Sequence, residues 1–317
     1  MVNVLDRKLF RDLTRLKGQA FTIALVVAVG VANYITLRSA WRALGDSRAV
    51  YYEEYRFADV FARLKRAPDS VVDQLHDVRG VASAYPRVVE EVLLPIEGLL
   101  TPGHGQIISL PPHGRPPLNG VYVKSGRFPE PGRGNEVLIY EPFADAHGLR
   151  PGSTLPAILN GKLHELIIVG LAISPEFVFA VEPGGITSDD ERFAPMWMSK
   201  SAVAAAFQME GAFNDVLIRL EPGADERAVL GAVDRVLERY GGLGAYGRDL
   251  QVSNSILDGE LAQIEAMVIF LPGVFLAVAA FLLNVVFSRL VTLQRGQIAV
   301  IKAVGYSNTS IALHYLK

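Results

Sequence analysis

The chain has 317 residues, of which 50% are hydrophobic, and a formal net charge of −2 at pH 7. This hydrophobic content excludes a disordered chain, and the near-neutral charge excludes a protein that binds nucleic acid through bulk electrostatics. The sequence contains no cysteine, which excludes disulfides, thiolate metal sites and cysteine nucleophiles. We therefore expect a chain that is part membrane-embedded and part globular, with no nucleic-acid partner.

The N-terminal segment has the pattern of an amphipathic helix. Four leucines recur at helical spacing among basic side chains: Leu5, Leu9, Leu13 and Leu16. A basic amphipathic helix of this kind lies on an anionic membrane leaflet. Residues 1–17 are therefore predicted to form a cytoplasmic helix, with membrane lipids as a partner.

A first apolar run follows directly. Residues 18–37 carry no charge, and about 20 apolar residues are needed to cross the hydrocarbon core as a helix. A cleaved secretory signal is the alternative, but its apolar region is typically only about 7–15 residues long. We therefore predict a transmembrane helix, in which Gly30 and Asn33 pack against a neighbouring helix. The arginines that follow it weaken the charge asymmetry that sets its orientation: Arg38, Arg42 and Arg48.

Residues 43–263 are long enough to form a domain with its own core. Apolar runs, caps and turns predict two strand–helix–strand modules separated by a strand-rich insert. The first module is predicted from a strand at Phe57–Leu64, a helix from Pro68 to Leu75 and a long strand at Val81–Ile96. The later helices and strand are predicted at Ser199–Gln208, Asp215–Leu220 and Asp225–Tyr240.

The insert between the modules contains four predicted strands and a short helix. The strands are Gly120–Lys124, Glu136–Tyr140, Ser153–Leu159 and Leu163–Ile173, and the helix is Glu141–His147. Asn160-Gly161 between the last two strands is the strongest short signal for a hairpin turn. The Ser174-Pro175-Glu176 sequence that follows is a conspicuous break after the hairpin.

The second apolar run is residues 266–288, which contain no charged residue. Its length predicts a second transmembrane helix, with Pro272 and Gly273 as a possible helix hinge because proline removes one helical hydrogen bond. Acidic residues precede this run and basic residues follow it, namely Asp258, Glu260 and Glu265 before, and Arg289, Arg295 and Lys302 after. This asymmetry predicts a cytoplasmic C-terminal end and a domain on the outer side of the membrane.

Residues 289–306 have the pattern of a helix that ends in a turn. Ile298, Ile301 and Lys302 recur at helical spacing, and Gly305 can adopt the left-handed conformation that ends a helix. Ser307 is placed to cap the next helix, which residues 307–317 begin.

This order of features resembles the MacB/FtsX-type ABC transporter permeases. The matching segment is R-x-x-x-x-Q-R-x-Q-I-A-V-I-K-A-V-G-Y-S, which directly follows a span ending in FLLNVVFSRLV. Within the domain, the segments that match the family better than the rest are SGRFPEPGRGNEVLI and AHGLRPGSTL. The resemblance implies an α+β membrane protein with two transmembrane helices flanking a βαβ-rich extracytoplasmic domain. In the family, that domain is a MacB-like core with a porter-like lobe and a smaller β-rich lobe.

The long, double-module permeases are the most similar, and in them this chain corresponds to the N-terminal portion. A complete module has two more spans, so residues 307–317 are expected to be the truncated start of a third transmembrane helix. The family resemblance implies a multi-pass protein of the plasma (inner) membrane. It also implies an ABC ATPase subunit and a second permease module or homodimer as partners.

The resemblance assigns the ATPase-coupling role to residues 289–306. The coupling residues are expected to be Arg295, Gln297, Ile298, Ile301, Lys302 and Gly305. Gln297 departs from the family, which commonly has glutamate at this position. The implied function is to transmit ATPase-driven motion to the outer domain and so to export or extract a lipid, lipoprotein, peptide or drug cargo.

No pattern in the sequence predicts catalysis, a cofactor or a metal site. There is no G-x-x-x-x-G-K-[ST] phosphate loop and no H-E-x-x-H or G-x-S-x-G motif. ATP hydrolysis is therefore expected from a separate partner, and the chain is predicted to be a non-catalytic subunit. The alternative function is a two-span membrane sensor with a ligand-binding outer domain. A sensor is expected to end in a signalling domain or coiled coil, whereas this sequence ends in a new helix start.

Overall fold

The computed structural model describes residues 17–96, 101–112, 114–185 and 187–316. The chain divides into two compact units. The first unit combines the residues up to Gly45 with those from Glu260 onward, and the second is Asp46–Gly259. The amphipathic helix predicted for residues 1–17 lies outside the described residues apart from Lys17.

The described residues contain two helices that are long and apolar enough to cross a membrane by length and composition. Helix α1 is Lys17–Glu54, and helix α6 is Val252–Leu293, with 38 and 42 residues. Both helices extend past the predicted apolar spans, so the end of α1 and the start of α6 belong to the second unit. Helix α6 is continuous through Pro272.

The second unit consists of strands, short helices and the ends of the two long helices. The strands are β1 Val60–Pro68, β2 Val81–Arg87, β3 Val89–Leu94, β4 Gly103–Leu110, β5 Tyr122–Gly126, β6 Glu136–Tyr140, β7 Thr154–Leu159, β8 Lys162–Ile173, β9 Phe193–Ser199, β10 Ala212–Leu220 and β11 Gly242–Gly247. The helices are α2 Val71–His76, α3 Glu141–Ala146, α4 Lys200–Phe207 and α5 Glu226–Leu237. After α6, the first unit continues with α7 Arg295–Ala303 and α8 Asn308–Leu316.

The first lobe is formed by α2, α5 and a sheet with the strand order β11-β1-β10-β2. Each strand is antiparallel to its neighbour, so β1 is parallel to β2, and β10 is parallel to β11. The lobe is therefore made of two split strand–helix–strand modules whose strands interleave. Val60, Val216 and Val233 lie in its buried core. This arrangement agrees with the two modules that the sequence predicted, except that the last strand of the second module, β11, was not predicted.

The second lobe is the insert between those modules. Its sheet has the order β5-β8-β6-β9-β4-β3-β7, and β7 also pairs with the long strand β8. The sheet therefore closes into a ring, from β8 through β6, β9, β4, β3 and β7 back to β8. Strand β5 pairs only with β8 and lies outside this ring. The lobe contains a large apolar cluster that includes Ile107, Leu138 and Met196.

The hairpin predicted at Asn160-Gly161 is confirmed. Strands β7 and β8 are antiparallel, and Leu159 lies opposite Lys162. Asn160 and Gly161 have φ angles of 47° and 77°. Positive φ at both central residues is the requirement of a type I′ turn, which matches the twist of the adjoining strands.

The structure confirms the fold class and corrects details of the prediction. The long strand expected at Val81–Ile96 is two strands, β2 and β3, which belong to different sheets. The β-rich lobe is the larger lobe rather than the smaller one, because the insert also contains β4 and β9, which the sequence analysis missed. Strand β11 was also missed, because its glycine-rich sequence has no apolar alternation.

Gly126 is the last residue of β5 and lies close to the backbone of β8. It has a φ of 85°, and a Cβ on it would overlap the carbonyl oxygen of Val169 and lie 2.6 Å from the Cα of Gly170. Gly132, in the same turn-rich segment, has a φ of 87° but no neighbouring atom within 4 Å of its Cβ position. A substitution at Gly132 therefore tests backbone strain alone, whereas the same substitution at Gly126 adds steric overlap.

We expect Gly132→Ala to lower the free energy of unfolding by about 1–2 kcal/mol, because alanine at positive φ is strained. Gly126→Ala should cost the same strain plus about 1–3 kcal/mol for the overlap with the backbone of β8. Urea unfolding of a fragment spanning residues 46–259 measures both. Equal losses in the two variants would contradict the close approach at Gly126.

Candidate functional site

The two long helices contact each other in the first unit at Gly30. A Cβ on Gly30 would lie 2.9 Å from the Cβ of Phe275 and 3.9 Å from the carbonyl oxygen of Pro272. Gly30 is therefore a packing position, as expected for small residues between membrane helices. Asn33 Nδ2 donates to the Val29 carbonyl oxygen within its own helix at 3.2 Å.

The residues predicted to couple to an ATPase follow α6. Helix α7 begins directly after α6, and Gly305 after its end has a φ of 101°. The Ser307 hydroxyl accepts from the Ser310 amide at 3.2 Å and so caps α8. The predicted sequence of helix, glycine turn and capped helix is therefore present.

The side chains of this segment differ in exposure. The predicted coupling residues Arg295, Gln297 and Lys302 are exposed, whereas Ile298 and Ile301 are half-buried. Val300 and Val304, which the sequence analysis did not select, are 64% and 73% exposed. The segment therefore presents apolar surface next to polar and basic groups.

The end of α1 and the start of α6 are joined by polar contacts in the second unit. Arg48 forms an ion pair with Asp258. The Tyr52 hydroxyl donates to Asn254 Oδ1 at 3.1 Å, and Asn254 Nδ2 donates to Asp258 Oδ2 at 2.8 Å. We call these four residues the helix clamp. Asn254 is 5% exposed, so its hydrogen bonds are shielded from competing water.

The start of α6 is also attached to the second lobe. Ser253 Oγ accepts from the Phe179 amide at 2.9 Å. Gln251 Nε2 donates to the carbonyl oxygen of Glu176 at 2.9 Å. Both side chains are buried, so the helix start is held by the domain as well as by α1.

A cavity of about 410 Å³ lies beside the helix clamp. Its walls include three arginines, and each has a carboxylate partner: Arg48 with Asp258, Arg219 with Glu53 and Asp59, and Arg248 with Asp59. Arg248 Nη2 also donates to the Phe57 carbonyl oxygen at 2.7 Å, and burial lowers the pKa of its guanidinium. These arginines hold the chain where α1 leads into β1.

The two lobes are joined by a buried ion cluster of Arg87, Glu176 and Asp215. Arg87, at the end of β2, donates to both carboxylate oxygens of Glu176 at 2.7 and 2.6 Å, and its Nε pairs with Asp215. The three side chains are 4%, 13% and 6% exposed. A bidentate pair of this geometry is among the stronger charge-assisted contacts, and its burial excludes solvent screening.

Burial would raise the pKa of Glu176, but the charge and hydrogen bonds of Arg87 outweigh it and leave this pKa below its ordinary value. Asn119 Nδ2 adds a hydrogen bond to Glu176 Oε2 at 2.8 Å. The pKa of Arg87 is raised because its two carboxylate partners outweigh its burial. Arg87 and Glu176 are therefore charged at neutral pH, whereas burial raises the pKa of Asp215. Arg87 and Asp215 belong to the first lobe and Glu176 to the second, so the cluster links the two lobes.

Two further contacts join the lobes. Lys200 Nζ lies 3.1 Å from the carboxylate of Asp69, and both side chains are partly exposed. Asn214 accepts from the Val89 amide at 2.8 Å and donates to the Val89 carbonyl oxygen at 3.0 Å. Neither contact is a buried bidentate ion pair like that of Arg87 and Glu176.

Glu176 stands out in the sequence, whereas its partners Arg87 and Asp215 do not. Ser174-Pro175-Glu176 is conspicuous as a break after the hairpin, and it forms a short 3₁₀ turn with Ser174 as its cap. Arg87 is the last residue of β2, and Asp215 lies among apolar residues in β10, where a charged residue signals burial with a partner. The identity of that partner has no local signal, because the three residues are far apart in the chain.

Among the described residues, no group of three or more metal-ligating side chains lies close enough to hold a metal ion. The candidate site consists of the segment after α6, the helix clamp and the buried ion cluster.

No protein-family model matches the chain, and no curated protein matches it. Among solved structures, it is similar to the periplasmic region of MacB from Actinobacillus actinomycetemcomitans, with 11% identity and a TM-score of 0.38 over 64% of this chain and 92% of that one. It is also similar to the extracellular domain of the noncanonic ABC-type transporter YknZ from Gram-positive bacteria, with 12% identity and a TM-score of 0.36 over 58% and 97%. A third is a domain of a protein from Porphyromonas gingivalis described as a permease, with 13% identity and a TM-score of 0.32 over 62% and 95%.

By its sequence motifs, the chain resembles MacB/FtsX-type ABC permeases. At these identities and TM-scores, the three neighbours assign no role to individual residues.

We expect Arg87→Met to lower the free energy of unfolding of the 46–259 fragment by about 3–5 kcal/mol, because it leaves two buried carboxylates without their main cation. Lys200→Met is the matched control, since it removes a cation from a partly exposed contact between the same lobes and should cost less than about 1 kcal/mol. Urea unfolding measures both. Similar losses would show that the buried cluster is not the main tie between the lobes.

The loss caused by Arg87→Met should depend on pH. The stabilising contribution of Glu176 is complete above its ordinary pKa of 4.5 and is lost as the pH falls through its lowered folded pKa. In the variant, the unpaired carboxylate takes up a proton instead. The difference between the two proteins should therefore be largest at neutral pH and shrink below about pH 4.5.

Proposed function

We propose that this chain is the N-terminal part of a permease subunit of a MacB/FtsX-type ABC transporter. In this proposal, motion driven by a partner ATPase is transmitted to an extracytoplasmic domain. The observation that carries it is helix α6, whose 42 residues are uninterrupted. At about 1.5 Å per residue it is about 63 Å long, which exceeds the roughly 30 Å hydrocarbon core by enough to continue on both sides.

The two ends of α6 support this role. The first turns are held by the helix clamp and by Ser253, and the last turn leads into the helix, glycine turn and capped helix of residues 295–316. A helix transmits displacement along its axis because each turn is hydrogen-bonded to the next. Pro272 and Gly273 are the proposed hinge, where the missing hydrogen bond allows the helix to bend beside Gly30.

The ATPase is the proposed partner of residues 289–306. Arg295, Gln297 and Lys302 would meet the polar rim of its docking cleft, and Ile298 and Ile301 would enter the cleft. Gln297 is uncharged, so any ion pair that a glutamate makes at this position is absent here. ATP hydrolysis would be supplied by that ATPase, and a second permease module or a second copy would complete the transporter.

The proposed cargo class is a lipid, lipoprotein, peptide or drug. The domain's cavity of about 410 Å³ has walls of paired charges, which favours a mechanical role over a specific ligand site. Cargo would therefore be moved by displacement of the domain rather than through a pore in this chain.

The proposed topology predicts that reporter fusions at Lys17 and Lys317 report the cytoplasm and that a fusion at Gly161 reports the outer side. The reason is the excess of basic residues after residue 288 and of acidic residues before residue 266. A paired alkaline phosphatase and fluorescent protein series measures it. Cytoplasmic signal from the Gly161 fusion would contradict both the topology and the outer domain.

The coupling role predicts that Ile301→Asp and Gly305→Val, placed in the complete permease, abolish stimulation of the partner ATPase. Aspartate would put a charge on the half-buried face of α7, and a β-branched residue at the φ of 101° would cost at least about 1 kcal/mol. Charge reversal at Lys302 should weaken assembly in a salt-dependent way. ATPase stimulation and co-purification measure these effects.

Ala303→Asp is the matched control for Ile301→Asp, because it adds the same charge at about the opposite face of α7. It should leave ATPase stimulation within about twofold, and all variants should insert in the membrane equally. Unchanged stimulation in Ile301→Asp and Gly305→Val would overturn the coupling role. If the protein co-purifies with no ATPase at all, that result would support the alternative function, a two-span membrane sensor.

A further inference from the structure

One face of α1 changes from apolar to aromatic and basic where the apolar run ends. Tyr34, Arg38 and Trp41 lie at spacings of four and three residues, so they share this face of the helix. The guanidinium carbon of Arg38 lies 4.6 Å from the centroid of the Trp41 ring. Arg42 lies beside them and is exposed. The uncharged stretch ends at Leu37, so this group begins in the next turn.

These two arginines differ from Arg48 farther along the helix. Arg48 has the carboxylate of Asp258 as its partner. In the part of the chain that the structure describes, no carboxylate lies within ion-pair distance of Arg38 or Arg42. Their charge also opposes the asymmetry that orients the helix, so orientation does not account for them.

The geometry fits a phosphate. A guanidinium stacked on an aromatic ring keeps its N–H groups free at its edge, in the planar fork that matches phosphate oxygens. Tryptophan and tyrosine are enriched where the hydrocarbon core meets the headgroups, because one part of each ring system is apolar and another forms hydrogen bonds. A stacked arginine in that layer is held at the depth of the lipid phosphate.

We propose that Arg38, Trp41 and Arg42 form a binding site for the phosphate headgroup of an anionic phospholipid. The inference rests on the part of the proposed function in which α1 crosses the membrane, and it is independent of the ATPase and of the direction of insertion. Anionic lipid is the occupant because two unpaired cations adjoin an apolar span, whereas a zwitterionic headgroup would bring its own cation to the site.

The test uses the fluorescence of Trp41 in the full chain reconstituted into vesicles. Mixed vesicles of phosphatidylglycerol and phosphatidylcholine are prepared twice, with bromine near the headgroup end of the acyl chains on one lipid or on the other. The chain has only two tryptophans, and Trp197 is 2% exposed in the domain core. A Trp41→Phe chain therefore supplies the signal of Trp197, which is subtracted.

We expect brominated phosphatidylglycerol to quench Trp41 more than brominated phosphatidylcholine at equal mole fraction. The enrichment should be about fivefold per arginine, the factor by which a basic residue near an anionic leaflet strengthens binding. Arg38→Gln and Arg42→Gln should each reduce the preference, and the double variant should abolish it. Arg38→Lys keeps the charge but loses the planar fork, so it should retain only part of the preference.

Lys162→Gln is the matched control, because it removes one positive charge from an exposed hairpin end. It should leave the preference unchanged. Equal quenching by the two lipids would overturn the site while leaving the membrane span intact. No quenching by either lipid would overturn the site together with the span of α1. A preference that survives the double arginine variant, or that falls equally in Lys162→Gln, would assign it to net charge and overturn the site.

Discussion

The ion pair between Arg87 and Glu176 is the contact at which three parts of the domain meet. Arg87 belongs to the first lobe, and Glu176 follows β8 of the second lobe. The carbonyl oxygen of Glu176 accepts from Gln251, directly before α6. Because the pair is buried and bidentate, it resists both screening and rotation. The lobes and the start of α6 are thus tied through one residue.

The helix clamp joins the start of α6 to the end of α1. Tyr52 and Arg48 of α1 contact Asn254 and Asp258, so the two long helices are joined where they belong to the domain. This arrangement is consistent with the proposed transmission of motion, because a force applied at the start of α6 would reach both lobes through short polar contacts. A domain attached by one flexible linker would lose that motion to the linker.

The segment after α6 shows how exposure refines a sequence motif. Ile298 and Ile301 were selected by their helical spacing, and in the structure they are half-buried. Val300 and Val304 carry more accessible apolar surface. Periodicity identifies which residues share a helix face, but only packing decides which face is already covered. The same reasoning separates Arg48, which has a carboxylate partner, from Arg38 and Arg42 on the same helix.

The sequence by itself determined the features that depend on neighbouring residues. The apolar length of the two spans, the type I′ turn at Asn160-Gly161, the positive φ at Gly305 and the two strand–helix–strand modules all follow from local spacing and turn chemistry. The tertiary structure decided the features that join distant residues. It separated Val81–Ile96 into strands of two sheets, closed the second lobe through β7 and β8, and brought Arg87 to Glu176 and Asp215. Strand partners and buried ion pairs are chosen by the whole chain, because their stability comes from burial against residues that no local pattern specifies.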